Sequence, residues 1–128
     1  MVKTPLVTPD VAWGEAILAA LDTAKFPVTA ALWILQDDEK KWELVIATPL
    51  YDKLGQKNAY MRLIEALKPT GNVFLGGLPL RLESNKRPLI RTLRKIFGRA
   101  ASVEGMRLGL RSIGNVWVQD GYLYRIKP

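Results

Sequence analysis

Nine lysines and arginines fall between residues 81 and 111: Arg81, Lys86, Arg87, Arg91, Arg94, Lys95, Arg99, Arg107 and Arg111. Glu83 and Glu104 are the only acids in that stretch, and the remaining residues carry ten charges of each sign. The whole formal net charge of +7 therefore sits in about one quarter of the chain. Clustered guanidinium and ammonium groups do one kind of chemistry well, which is to hold anions such as phosphate through charge-assisted hydrogen bonds. Spacing sharpens the point. On a helix Arg87, Arg91, Arg94 and Lys95 fall within an arc of about 100°, opposite an apolar face of Leu89, Ile90, Leu93, Ile96 and Phe97. The like charges four residues apart, Arg87–Arg91 and Arg91–Lys95, each destabilise an isolated helix by roughly 0.2–0.5 kcal/mol. Lys86 and Arg87 also face the positive end of the helix dipole, at a cost of up to about 1 kcal/mol. No acid on the helix offsets these terms, whereas a bound phosphate would.

The expected nucleic-acid-binding or polyanion-binding set is thus Arg87, Arg91, Arg94 and Lys95, with Arg99, Arg107 and Arg111 extending the track and Arg125 a further candidate. Tyr122, Tyr124 and Trp117 are available to stack on bases where exposed. A plainer reading competes: a basic face opposite an apolar one is what a solvated amphipathic helix shows, and the acidic first helix (Asp10, Glu15, Asp22) could supply counter-charge. No RRM core, KH loop or zinc finger is present.

Residue types for catalysis are sparse. The chain has no cysteine, which excludes disulfides, thiolate metal sites and thiol nucleophiles. It has no histidine, the commonest general base and metal ligand near neutral pH. Ser84, Ser102 and Ser112 therefore lack a histidine partner. Pro9-Asp10 with Glu39-Lys40-Lys41 formally echoes the acid plus E-x-K pattern of metal-dependent nucleases, where carboxylates grip Mg²⁺ and a lysine activates water. Asp10 is better explained by helix-start electrostatics, and Glu39-Lys40-Lys41 by an exposed turn. Gly71 and Gly76-Gly77 lack the lysine and following helix of a phosphate loop. No cofactor or metal is implied.

The elements that must position the basic run are organised around Val28–Thr48. Val28–Leu35 and Trp42–Thr48 are rich in β-branched and aromatic residues, joined by the charged turn Asp37–Lys41. Centring the turn on Asp38-Glu39 sets Leu35 opposite Trp42, Trp33 opposite Leu44 and Ala31 opposite Ile46. Trp33, Leu35, Trp42, Leu44 and Ile46 then share one face. Val28, Ala30, Leu32, Ile34, Val45 and Ala47 share the other, with Glu43 its only charge. A pair apolar on both faces belongs at the centre of a sheet, with helices or a partner chain over each side.

Around that hairpin, Thr8-Pro9-Asp10 starts a helix that carries Val11, Gly14, Ile17, Leu18 and Leu21 on one stripe and stops before Pro27. Residues 48–52 read as a connection. A second helix spans Gln56–Leu67, burying Tyr60, Leu63, Ile64 and Leu67, and Pro69–Asn72 ends it. Leu78–Glu83 is a third strand near a sheet edge, because Pro79 lacks an N–H. The basic helix occupies Pro88–Phe97, with Gly98 as its stop. Asp120-Gly121, between Val116–Gln119 and Tyr122–Ile126, predicts a type I′ hairpin pairing Gln119–Tyr122, Val118–Leu123 and Trp117–Tyr124.

The order is α-β-β-α-β-α-β-β with a possible extra strand: an α+β fold with a mixed, largely antiparallel sheet, a central hairpin (28–35, 42–48) and three helices. At 128 residues, 1–128 reads as a single globular domain. The run FPVTAALWIL…WELVIATPL followed by a short helix (residues 26–67) resembles a scattered group of small bacterial proteins of unassigned function. That resemblance implies a bacterial origin and transfers no site residues. No signal-peptide h-region opens the chain, and no apolar run approaches the roughly 20 residues a membrane span needs, so a cytoplasmic protein is expected.

The leading expectation is a small non-catalytic module that contacts nucleic acid or another polyanion through the basic helix. The alternative is a protein-interaction or homo-oligomeric accessory protein using apolar sheet surface, with a metal-dependent nuclease a distant third.

Overall fold

The computed structural model describes residues 8–36, 41–70, 80–100 and 102–127. In chain order these form α1 (Thr8–Thr23), β1 (Ala30–Gln36), β2 (Glu43–Ala47), α2 (Leu50–Leu54), α3 (Gln56–Leu67) and a 3₁₀ turn (Lys68–Thr70). Then follow β3 (Leu80–Glu83), α4 (Pro88–Phe97), β4 (Arg111–Ile113) and β5 (Val116–Ile126). The fold is α+β, with one mixed five-stranded sheet in the order β3-β2-β1-β5-β4. β1 lies in the middle, antiparallel to both β2 and β5. β3 runs parallel to β2 at one edge, the two joined by a crossover through α2 and α3. At the other edge β4 is antiparallel to β5.

Alternation along β1 and β2 dictates the layers. Trp33 pairs with Leu44 and Ala31 with Ile46, the register expected from the charged turn. Ala31, Trp33, Leu35, Trp42, Leu44 and Ile46 pack with Ile17 and Leu21 of α1 and with Ala59, Leu63 and Leu67 of α3. Ala30, Leu32, Ile34, Val45 and Ala47 pack instead with Leu89, Ile90 and Leu93 of α4 and with Val103 and Leu108. The doubly apolar pair is thus buried on both sides, with α1 and α3 over one face and α4 over the other. Fully burying each large aliphatic side chain of this kind contributes about 1.5–3 kcal/mol, and Leu32, Ile34, Leu44 and Ile46 are all at most 1 % exposed.

Several expectations are corrected. The strand starts at Ala30, so Val28 lies outside the alternation and joins the core on the α1 side. The connection after β2 forms a short helix, α2, which is too brief to show an apolar period. On α3 the buried positions are Ala59, Leu63 and Leu67, while Ile64 is 42 % exposed. On α4, Ile96 is half exposed and Phe97 partly buried. The third strand begins at Leu80 among the described residues; Leu78, Pro79, the glycines at 71, 76 and 77 and the Asp37–Lys40 turn lie outside them.

The largest correction concerns Asp120-Gly121. No turn forms there: β5 runs unbroken from Val116 to Ile126, pairing along β1 with one register shift on each side of the dipeptide. The hairpin lies at Gly114-Asn115 instead, where Ile113 opposes Val116. Both central residues have positive φ, 56° and 67°, as a type I′ turn requires. Gly114 is also pressed against α4, where an added Cβ would lie 2.4 Å from the carbonyl carbon of Pro88. Asp120 is unavailable for a turn because its buried carboxylate accepts the N–H groups of Gly109 (3.2 Å) and Gly121 (2.8 Å) and pairs with Arg107. Those bonds fasten residues 105–109 along the free edge of β5, where Leu123 N–H donates to Met106 O and Leu108 N–H to Gly121 O.

Candidate polyanion interface

α4 forms because Pro88 presets the first turn, apolar residues recur at 89, 90 and 93, and the chain leaves at Gly98. Its apolar face is spent on the sheet: Leu89, Ile90 and Leu93 are at most 1 % exposed. The opposite face lines an open groove of about 710 Å³ formed by Pro88, Arg91, Thr92, Arg94, Lys95, Gly98 and Arg99. Four cations and no acid border it. None of these four has an ion-pair partner among the described residues. The same holds of Lys86 before the helix and of Arg111 on β4.

The rest of the basic run is occupied. Glu83 is a buried carboxylate at the end of β3 that pairs with Arg87, four residues on, and lies 3.0 Å from Arg81 Nε. That second approach lacks hydrogen-bond alignment, and Arg81 turns Nη1 toward Glu43 Oε1 at 3.3 Å. Arg87 thus stands at the helix start with its charge compensated from outside the helix. Arg107 pairs with Asp120 and lies over the Trp42 ring, 5.7 Å from its centroid. Its bridge partner is Tyr122, which packs on the α1 side of the sheet, so Arg107 sits on the face opposite α4. Arg111 opposes Val118, which points into the core beneath α4. Directly opposed residues share a face, so Arg111 is on the α4 side. The structure therefore brings Arg91, Arg94, Lys95 and Arg99 together, keeps Arg111 on the same side, compensates Arg87 and separates Arg107.

The plainer reading holds at one place. Arg125 donates to both oxygens of Asp22, Nη1 to Oδ1 at 2.9 Å and Nη2 to Oδ2 at 2.6 Å. These hydrogen bonds hold the Asp22 carboxyl below its ordinary range and raise the Arg125 guanidinium. Here the acidic first helix does supply counter-charge, and Arg125 is not part of the groove. It cannot do so for α4, because α1 lies across the sheet from it.

The aromatic candidates for stacking are also placed. Tyr124 is buried, accepting from Trp33 Nε1 at 2.9 Å and donating to Val11 O at 2.7 Å. Tyr122 stands edge-on to it, with ring centroids 5.3 Å apart. Trp117 is 57 % exposed, yet it neighbours Val118 in the strand and so projects from the sheet face opposite α4. None borders the groove.

The side chains of the acid plus E-x-K pattern, Asp10, Glu39 and Lys40, lie outside the described residues. Among the described residues no group of three or more carboxylates could hold a metal ion, and no helix is long and apolar enough to cross a membrane. Sequence reasoning missed the roles of Glu83 and Asp120 as arginine partners. The i,i+4 spacing of Glu83 and Arg87 was the available signal for the first, hidden because the pair spans a strand end and a turn. The chain matches no family model, no curated protein and no solved structure.

Proposed function

We propose that this protein is a binding module for polyanions, nucleic acid foremost, and that the outer face of α4 is its contact surface. Arg91, Arg94, Lys95 and Arg99 would hold phosphates, with Lys86 and Arg111 flanking them. The supporting observation is the division of the basic run: Arg81, Arg87 and Arg107 are matched to buried or half-buried carboxylates, whereas the four cations around the groove, with Lys86 and Arg111 beside them, have none among the described residues. Unpartnered like charges crowded on one helix face cost stability, and phosphate neutralisation offsets that cost while releasing counterions. An interfacial membrane helix is disfavoured by the same geometry, since Leu89, Ile90 and Leu93, the centre of the apolar face of α4, are buried in the core and are not free to enter lipid.

The alternative of a protein-interaction surface on the apolar sheet loses its main support, because both faces of the central hairpin are covered. Fluorescence anisotropy with labelled nucleic acid tests the proposal. Four neutralised phosphates predict a fall of roughly 10²-fold in affinity between 50 and 200 mM salt. Absence of binding at 50 mM salt would remove the reading.

A further inference from the structure

Resting on that reading, we infer that the cations on the outer face of α4 take the two phosphate strands of a double helix in preference to a single strand, without regard to base sequence. Two placements carry this. The first is the arrangement of cations about α4. Arg91 and Lys95 lie along the crest, farthest from the buried Leu89–Leu93 face. Arg94 leaves on one flank, since successive residues turn by about 100°. Arg99 leaves on the other, because Gly98 before it still has helical backbone (φ −60°, ψ −21°). Cations directed to both sides of a ridge match a groove bordered by two phosphate strands. A helix of this kind is about 10–12 Å across, close to the roughly 12 Å width of the duplex major groove. A single strand offers one backbone and leaves one flank unmatched. Among the described residues α4 is the sole helix on its side of the sheet, so it stands clear as a ridge.

The second placement concerns what the ridge lacks. Single-strand binders gain about 1–3 kcal/mol per base from stacking on aromatic rings beside a basic track. The non-cationic residues of this groove are Pro88, Thr92 and Gly98. The one strongly exposed aromatic residue among those described, Trp117, projects from the opposite sheet face. Backbone charge is then the principal attraction, and a duplex presents it at twice the linear density of one strand, one negative charge per about 1.7 Å of axis. Contacts of this type position a protein without reading sequence.

The test compares a labelled 20-bp DNA duplex, a second duplex of shuffled sequence and oligo-dT of 20 nucleotides, by anisotropy at 100 mM salt, with wild type and a Trp117→Ala variant. The inference expects both duplexes to bind within about twofold of each other and at least about tenfold tighter than oligo-dT, unchanged in Trp117→Ala. Oligo-dT binding as tightly as the duplexes, or duplex binding lost in Trp117→Ala, would overturn the duplex preference while leaving polyanion binding intact. Failure of all three probes to bind, repeated at 50 mM salt, would overturn both.

Discussion

Trp33 Nε1 donates to Tyr124 Oη at 2.9 Å within the core, and that hydroxyl in turn donates to Val11 O at 2.7 Å. One phenol thereby ties the central strand, the long strand β5 and the first turns of α1. The contact also explains a glycine in the middle of a helix. A Cβ on Gly14 would lie 2.3 Å from Tyr124 Oη, far inside van der Waals contact, so the helix approaches the ring only because no side chain intervenes.

Two substitutions follow from this arrangement. Tyr124→Phe leaves the Trp33 N–H buried without its acceptor, at a cost of about 1–3 kcal/mol. Gly14→Ala, which in an ordinary helix interior stabilises by roughly 0.5–1 kcal/mol, is expected here to destabilise by about 1–3 kcal/mol through overpacking. Urea denaturation of both variants checks the magnitudes. A stabilised Gly14→Ala protein would contradict the close approach.

The Gly114-Asn115 turn should be less tolerant than Gly121, although both glycines are crowded. At Gly114 the obstruction is the backbone of Pro88 and Leu89, and φ is +56°; at Gly121 the nearest atoms belong to the Leu108 side chain, which can yield, and the one backbone atom, Trp33 O, is farther off at 3.3 Å. Gly114→Ala therefore combines a left-handed backbone penalty of roughly 1–2 kcal/mol with a clash that only movement of α4 relieves. Thermal melts are expected to place Gly114→Ala well below Gly121→Ala; the reverse order would show that the hairpin does not abut α4.

These two glycine positions separate what was legible from sequence from what was not. The central hairpin register, the bounds of α3 and α4 and the two-faced core follow from alternation and helical period, which are local. Asp120-Gly121 satisfied every local criterion for a hairpin and still lies within a strand, because Asp120 is engaged by Gly109 N–H and Arg107, eleven and thirteen residues away. Gly114-Asn115 had turn residues too, but only three-residue β4 precedes it. The candidate site was legible as a charge cluster. Which of its cations are compensated was not, since Glu83 and Asp120 reach their arginines through tertiary placement.

The Asp22–Arg125 pair predicts a pH effect of defined sign. The hydrogen bonds from Arg125 depress the folded-state Asp22 carboxyl below its unfolded value. Its stabilisation is therefore fully present above the unfolded value of about 3.9 and is lost as pH falls through the lower folded value. Asp22 is about half exposed, so the pair contributes no more than about 1 kcal/mol. Carboxyl ¹³C titration of wild type should give an Asp22 midpoint below the usual carboxylate range, and Arg125→Gln should move it upward. An unmoved midpoint would exclude the pair in solution.

The central claim is that charge acts from α4 in particular and not from the net positive charge of the chain. Two double variants with the same total charge separate these. Arg91→Glu/Lys95→Glu reverses the crest of α4, while Lys57→Glu/Lys68→Glu reverses two exposed lysines on and just after α3, across the sheet. Affinity for a 20-bp duplex, measured by anisotropy at 100 mM salt, is expected to fall at least about 100-fold in the first and by only a few-fold in the second, since binding scales with phosphates contacted. Equal losses in the two variants, or none in the first, would contradict the assignment of the binding surface to α4.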